Sequence, residues 1–218
     1  MARIEVYVIV KEEGTCLTKY DFLGDREETK DQLVSGFLTA LNSFAKEIGF
    51  PKGVSLIRSG SLEARFSPGK YVFTVLIIDY FLPLGLMAEP ILSSLAGEIT
   101  EAFEKKFKKP LNQSKKGNIY KTSEFHGFTG QIDALLDKYG RESLELYQKC
   151  ILVECLYDNV PEDIIIPILE KVTKKQDVLS EFKIIPKKYQ KSVKNAIKKI
   201  NYRYAPLWQI FAIPILIF

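Results

Sequence analysis

At 218 residues the chain lies between one large domain and two small ones. Apolar types make up 46% and charged types 27%, with 14 Phe and 11 Tyr, which excludes an intrinsically disordered chain and provides for a sizeable core. The net charge of +4 is uneven: residues 1–110 carry 14 basic and 15 acidic groups, and residues 111–218 carry 17 and 12.

Reactive residues are scarce. The single histidine, His126, leaves no histidine cluster for zinc and no Ser-His or Cys-His nucleophile scheme. Three cysteines, Cys16, Cys150 and Cys155, are odd in number and form no disulfide framework, which fits a reducing compartment. The first residues, Met-Ala-Arg-Ile-Glu, lack the apolar run of a signal peptide. No stretch reaches the roughly 20 apolar residues of a membrane-spanning helix. The expectation is a cytoplasmic protein that is not an enzyme and needs no cofactor or metal.

In chain order, residues 4–10 are a β-branched and aromatic run, and Gly14 follows in a polar turn. Residues 16–22 alternate, so the two runs read as a hairpin. Asp25 and Glu28 have the spacing of a helix-capping pair. Beyond them Leu33, Phe37, Leu41, Phe44 and Ile48 form one face of an amphipathic helix over 29–48, expected to pack on the sheet, and Gly49 and Pro51 end it. Strands are predicted at 54–59, 62–67 and 71–79, the last so continuously apolar that it reads as a central strand covered on both faces. A helix over 87–107 carries the stripe Ile91, Leu92, Leu95, Ile99, Phe103 and Phe107. Residues 105–121 then hold seven lysines and no acid, which places a basic linker at 111–128. After it the spacing predicts helices at 129–139, 142–157, 162–174 and 187–204.

Several segments resemble functional motifs and have a plainer explanation. Ala64-Arg-Phe-Ser-Pro-Gly-Lys-Tyr71 nearly spells a phosphate-binding loop. However, it lacks the first glycine and the magnesium-binding hydroxyl, and it lies between strands where that mechanism needs a helix start; it reads as a hairpin turn. Cys150 and Cys155 are five apart, about 140° around a helix, and read as structural thiols. Asp79 reads as a strand-end cap, and His126 as a packing or solvent-facing residue.

Residues 171–203 hold eleven basic and two acidic groups. Tyr189, Val193, Ile197, Ile200 and Tyr204 form an apolar stripe between those lysines. A solvated helix face, an anionic membrane surface and a nucleic acid are the three readings, and nucleic acid is the least supported because no such motif occurs. The last 14 residues, 205–218, carry no charge and contain Pro206 and Pro214, which favours an extended tail. This tail either folds back into an apolar groove or dips into a membrane interface. In either case Lys194, Lys198, Lys199, Trp208, Phe211 and Phe218 are the candidate docking residues.

The order β-β-α-β-β-β-α over residues 1–110 resembles the longin domain of membrane-trafficking proteins. The resemblance is carried by the hairpin through Gly14-Thr-Cys-Leu-Thr-Lys-Tyr-Asp-Phe22, the helix from Leu33 to Ile48, the strand Tyr71-Val-Phe-Thr-Val-Leu-Ile-Ile78 and the helix ending Phe103-Glu-Lys-Lys-Phe107. It is nearest to the stand-alone longin-like proteins of archaea, and covers half the chain. It implies an α/β (α+β) longin or profilin-like fold, a five-stranded antiparallel sheet of order 2-1-5-4-3 flanked by helices. A helical C-terminal region over 129–218, with its apolar tail, follows. It also implies a protein-interaction module with no catalytic residues. The implied partners are a small GTPase, another longin or roadblock-type subunit, or a second copy, engaged through Tyr20, Phe22, Leu33 and Phe37 on the 16–22 edge or the first helix. No heptad SNARE segment follows residue 110. The alternative is a peripheral membrane binder at the cytoplasmic face, using the basic helix and the tail.

Overall fold

The computed structural model describes residues 3–21, 28–80, 85–114, 120–174, 179–204 and 207–211. The protein is α+β, with a five-stranded antiparallel sheet and a helical C-terminal region. Its contacts divide into two units, residues 1–81 with 90–136, and residues 82–89 with 137–218. The segment read as a linker, 111–128, falls inside the first.

In the first unit β1 (Arg3–Val10) and β2 (Cys16–Asp21) form the expected hairpin, and α1 (Glu28–Glu47) follows. Next come β3 (Leu56–Ser59), β4 (Leu62–Pro68), β5 (Val72–Asp79) and α2 (Ala88–Lys106). The sheet order is β2-β1-β5-β4-β3, so β1 and β5 are central neighbours, in register from Arg3 opposite Asp79 to Val10 opposite Val72. Both are apolar on both faces and buried, as a strand covered on two sides must be.

Register assigns the faces. Tyr7, Ile9, Ala64, Phe66, Phe73 and Val75 pack with Leu38 of α1, and Val34 borders that cluster. On the opposite face Thr100 of α2 donates to the Thr74 hydroxyl at 2.8 Å, and Arg65 donates to Ser93 at 3.0 Å. α1 therefore lies on one face and α2 on the other. A short α3 (Lys108–Ser114) and a 3-10 segment, Thr122–Phe128, were not expected. The segment belongs to the core because Phe125 and Phe128 pack, mostly edge-on, against Phe103 and Phe107 at the α2 end, centroids 4.9–6.1 Å apart. Aromatic spacing outweighed the surrounding lysine and glycine content.

The stripe of α1 needs a correction. The sheet-facing row is Val34, Leu38 and Ala45, with Leu41 half-buried; Leu33, Phe37, Phe44 and Ile48 point to solvent. The two rows are offset by a single residue, so a 3.6-residue period fits both. Short side chains select the inner one. Asn42 accepts a hydrogen bond from the Val54 N–H at 3.0 Å, and Gly53, at φ +73°, leaves room for that amide where any Cβ would collide with it. Leu38→Ala should therefore cost about 2–5 kcal/mol in urea unfolding, while Phe37→Ser should stay within about 0.5 kcal/mol of the parent.

In the second unit α4 (Thr129–Tyr157) contributes residues from 137 onward, and α5 (Glu162–Thr173), α6 (Leu179–Ile184), α7 (Lys187–Tyr204) and α8 (Leu207–Phe211) follow. Two predicted helices, 129–139 and 142–157, are one: α4 runs through Gly140, where a Cβ would meet Phe211 at ordinary contact distance, so the site does not require glycine. Asn159, at φ +56°, ends α4, with the Val160 N–H closing back on the Cys155 carbonyl at 3.0 Å. Val193, Ala196, Ile197, Ile200 and Tyr204 of α7 are buried; the Tyr204 ring meets Tyr147 edge-on, and Tyr147 donates to Asn201 at 2.6 Å. The expectation of an extended tail fails for residues 207–211, which form a helical turn after Pro206 with Leu207 and Ile210 buried. Residues 212–218 lie outside the described residues.

Candidate functional site

The candidate site is the outward face of α1. No residue from 32 to 45 is charged, and at 1.5 Å per residue the helix runs about 30 Å. Its outward row exposes Leu33 by 75%, Phe37 by 63%, Phe44 by 59% and Ile48 by 57%, with Phe50 at 60% just beyond the end. Gly36, Ala40 and Ser43 are also exposed and lie between the large residues. Outer helix faces ordinarily carry charge, and contiguous exposed apolar surface of several hundred Å² marks an interaction site. The sequence placed Leu33 and Phe37 on this helix correctly. All four of Leu33, Phe37, Phe44 and Ile48 were expected to pack on the sheet and instead face solvent, and Phe50 and the small residues between them were not recognised. An uncharged run across every face of the helix was the signal available.

The other candidates scatter. Tyr20 is buried and donates to Asp133 at 2.6 Å, and Thr18 donates to the Phe125 carbonyl at 3.1 Å. Both side chains of β2 are thus engaged within the first unit. Phe22 lies outside the described residues. Lys194, Lys198 and Lys199 are exposed on α7; Lys194 sits 5.2 Å from the Phe182 ring, and Lys199 pairs with Glu154 at 2.6 Å. The apolar stripe between them is core, which matches the solvated-face reading of α7. Phe211 is half-buried; the Trp208 side chain and Phe218 lie outside the described residues.

The remaining motifs have structural uses. The turn after β4 closes with the Gly69 N–H donating to the Val72 carbonyl at 2.8 Å, and its Tyr71 and Val72 N–H groups donate to Glu104 at 2.6 and 3.2 Å. The segment resembling a phosphate loop is therefore a hairpin turn whose N–H groups a carboxylate of α2 already takes. Asp79 accepts from Ser61 at 2.6 Å, and His126 is exposed. Glu63 is fully buried and accepts from Arg58 at 2.7 and 3.0 Å while pairing with the buried Arg65. Burial, then the Glu63 charge, raises the Tyr80 hydroxyl pKa. Among the described residues no group of three His, Cys, Asp or Glu side chains could hold a metal ion, and no helix is long and apolar enough to cross a membrane.

The cysteines are free. Burial pushes the Cys16 thiol up to about 12 and the Cys155 thiol up to about 11, from an ordinary 9.0. Both remain protonated in the folded chain at pH values where the unfolded chain loses the proton. Stability is thus full below pH 9 and falls as pH rises toward 11–12. Each thiol should cost on the order of 1 kcal/mol by pH 10. Urea midpoints at pH 8 and pH 10 should differ less in a Cys16→Val, Cys155→Val chain than in the parent. At pH 8 a thiol reagent should modify half-exposed Cys150 first.

No protein-family model, no curated protein and no solved structure matches this chain.

Proposed function

We propose that this chain is a non-catalytic protein-interaction module of the longin kind, acting in the cytoplasm, with α1 as its contact face. The carrying observation is the uncharged outward row Leu33, Phe37, Phe44 and Ile48, exposed on a helix whose other side is fixed to the sheet. The strand order and the helices flanking the sheet, which are those implied by the longin resemblance, support the reading. Function does not follow from fold alone, so the face carries the proposal rather than the topology. The partner classes are a small GTPase or another longin or roadblock-type subunit, which present apolar surface of comparable size. Peripheral membrane binding is weakened by burial of the α7 stripe, which removes the apolar half of an amphipathic membrane helix.

The test is affinity purification of the intact chain beside its Phe37→Glu variant. A small GTPase or a longin or roadblock-type subunit should be recovered with the parent and lost from the variant. Recovery of neither, together with flotation of both chains on anionic vesicles, would overturn the proposal in favour of the membrane.

A further inference from the structure

We infer that the outward row of α1 is a self-association surface, on which α1 of a second copy packs antiparallel about a two-fold axis. This rests on reading α1 as an interaction face and names the occupant.

The row is its own complement. Leu33, Phe37, Ala40 and Phe44 are spaced by four, three and four, a pattern unchanged when the helix direction is reversed. An axis crossing between residues 38 and 39 sets Leu33 against Phe44 of the second copy, and Phe37 against Ala40. Two-fold interfaces require this self-match, because the same patch must serve on both sides. Alternating steps of four and three are also those of a helix seam packed at about 20°. Each large residue at the centre meets a small one. Gly36 beside that centre has nothing within 4 Å of the place a Cβ would occupy, which leaves room for the Phe37 ring of the second copy. Glycine in a helix interior costs about 1 kcal/mol relative to alanine, a cost that close helix approach explains.

Charge and area agree. The uncharged span 32–45 brings no like charges together along the seam. From their exposures, the five large residues offer about 600 Å² per chain, given 150–250 Å² for a wholly exposed aromatic side chain. Complete burial of all five on both copies would cover about 1,200 Å², an upper bound that lies at the lower end of stable specific interfaces. The expected dimer is therefore reversible, with a micromolar midpoint.

Sedimentation of the full chain from about 1 to 200 μM tests this. The mass should rise from 24.9 kDa toward twice that value. Phe37→Glu and Ala40→Glu should each weaken association at least about tenfold while leaving the melting temperature unchanged, since both positions are exposed. On a Cys150→Ser background, a mixture of Leu33→Cys and Phe44→Cys chains should cross-link faster than either alone. A chain that stays monomeric throughout, or a dimer indifferent to both glutamates, overturns the inference. A monomer that binds a purified GTPase or longin subunit and loses it on Phe37→Glu overturns the second copy alone and leaves the interaction face standing. Vesicle flotation lost on Phe37→Glu overturns both.

Discussion

Phe103→Ala is expected to lower the unfolding free energy by about 3–5 kcal/mol, the usual cost of removing a fully buried aromatic ring. Phe103 is at the centre of a four-ring cluster, 4.8 Å from Phe107, 5.6 Å from Phe125 and 4.9 Å from Phe128. Its loss leaves a cavity bounded by α2 and the 3-10 segment, two elements that cannot close on each other without disturbing the Thr18 bond to the Phe125 carbonyl. Urea unfolding measures the loss, and hydrogen exchange should show the 3-10 segment opening first. A cost below about 1 kcal/mol would mean the segment 122–128 does not pack on α2.

Arg65→Leu should be comparably damaging for an electrostatic reason. Glu63 is fully buried, with Arg65 and the half-exposed Arg58 as its ion-pair partners. Removing one partner of a buried ion pair typically costs about 3–5 kcal/mol, because the remaining charge is desolvated without compensation. Replacing both, as Glu63→Leu with Arg65→Leu, should restore most of the loss, since two leucines fill the space between β4 and α2 without buried charge. The two single variants and the double variant form a thermodynamic cycle, with a coupling of several kcal/mol expected. Independent, additive effects would show that the two side chains do not act as a pair.

Much of the fold was legible because strand pattern and turn chemistry agreed. The runs at 4–10 and 71–79 are apolar on both faces, which made them central; Pro68-Gly69 and Gly14 marked the hairpins. What could not be read was the choice among surfaces that share a period. Rows 33-37-44-48 and 34-38-41-45 differ by one residue, and the aromatic row looks the better core until Asn42 and Gly53 fix the helix rotation. The break predicted between residues 139 and 142 falls at Gly140, a residue type that weakens a helix, whereas packing carries α4 through it. The ion pair of Glu63 and Arg65 was not read, because two charged residues in a short strand give no sign of burial until β4 is paired and covered. The candidate site followed the same logic: the resemblance implied Leu33 and Phe37 as contact residues, while the periodicity put them on the sheet, and only the helix rotation shows them exposed.

Hydroxyl-radical footprinting of the full chain across a concentration series tests the outward face of α1 most directly. Phe37 and Phe44 should be oxidised readily in dilute solution and become protected as concentration rises, while Leu38 and Phe73 stay protected throughout. Protection of Phe37 and Phe44 at every concentration would show that the chain covers this face itself, and would contradict its role as a contact surface.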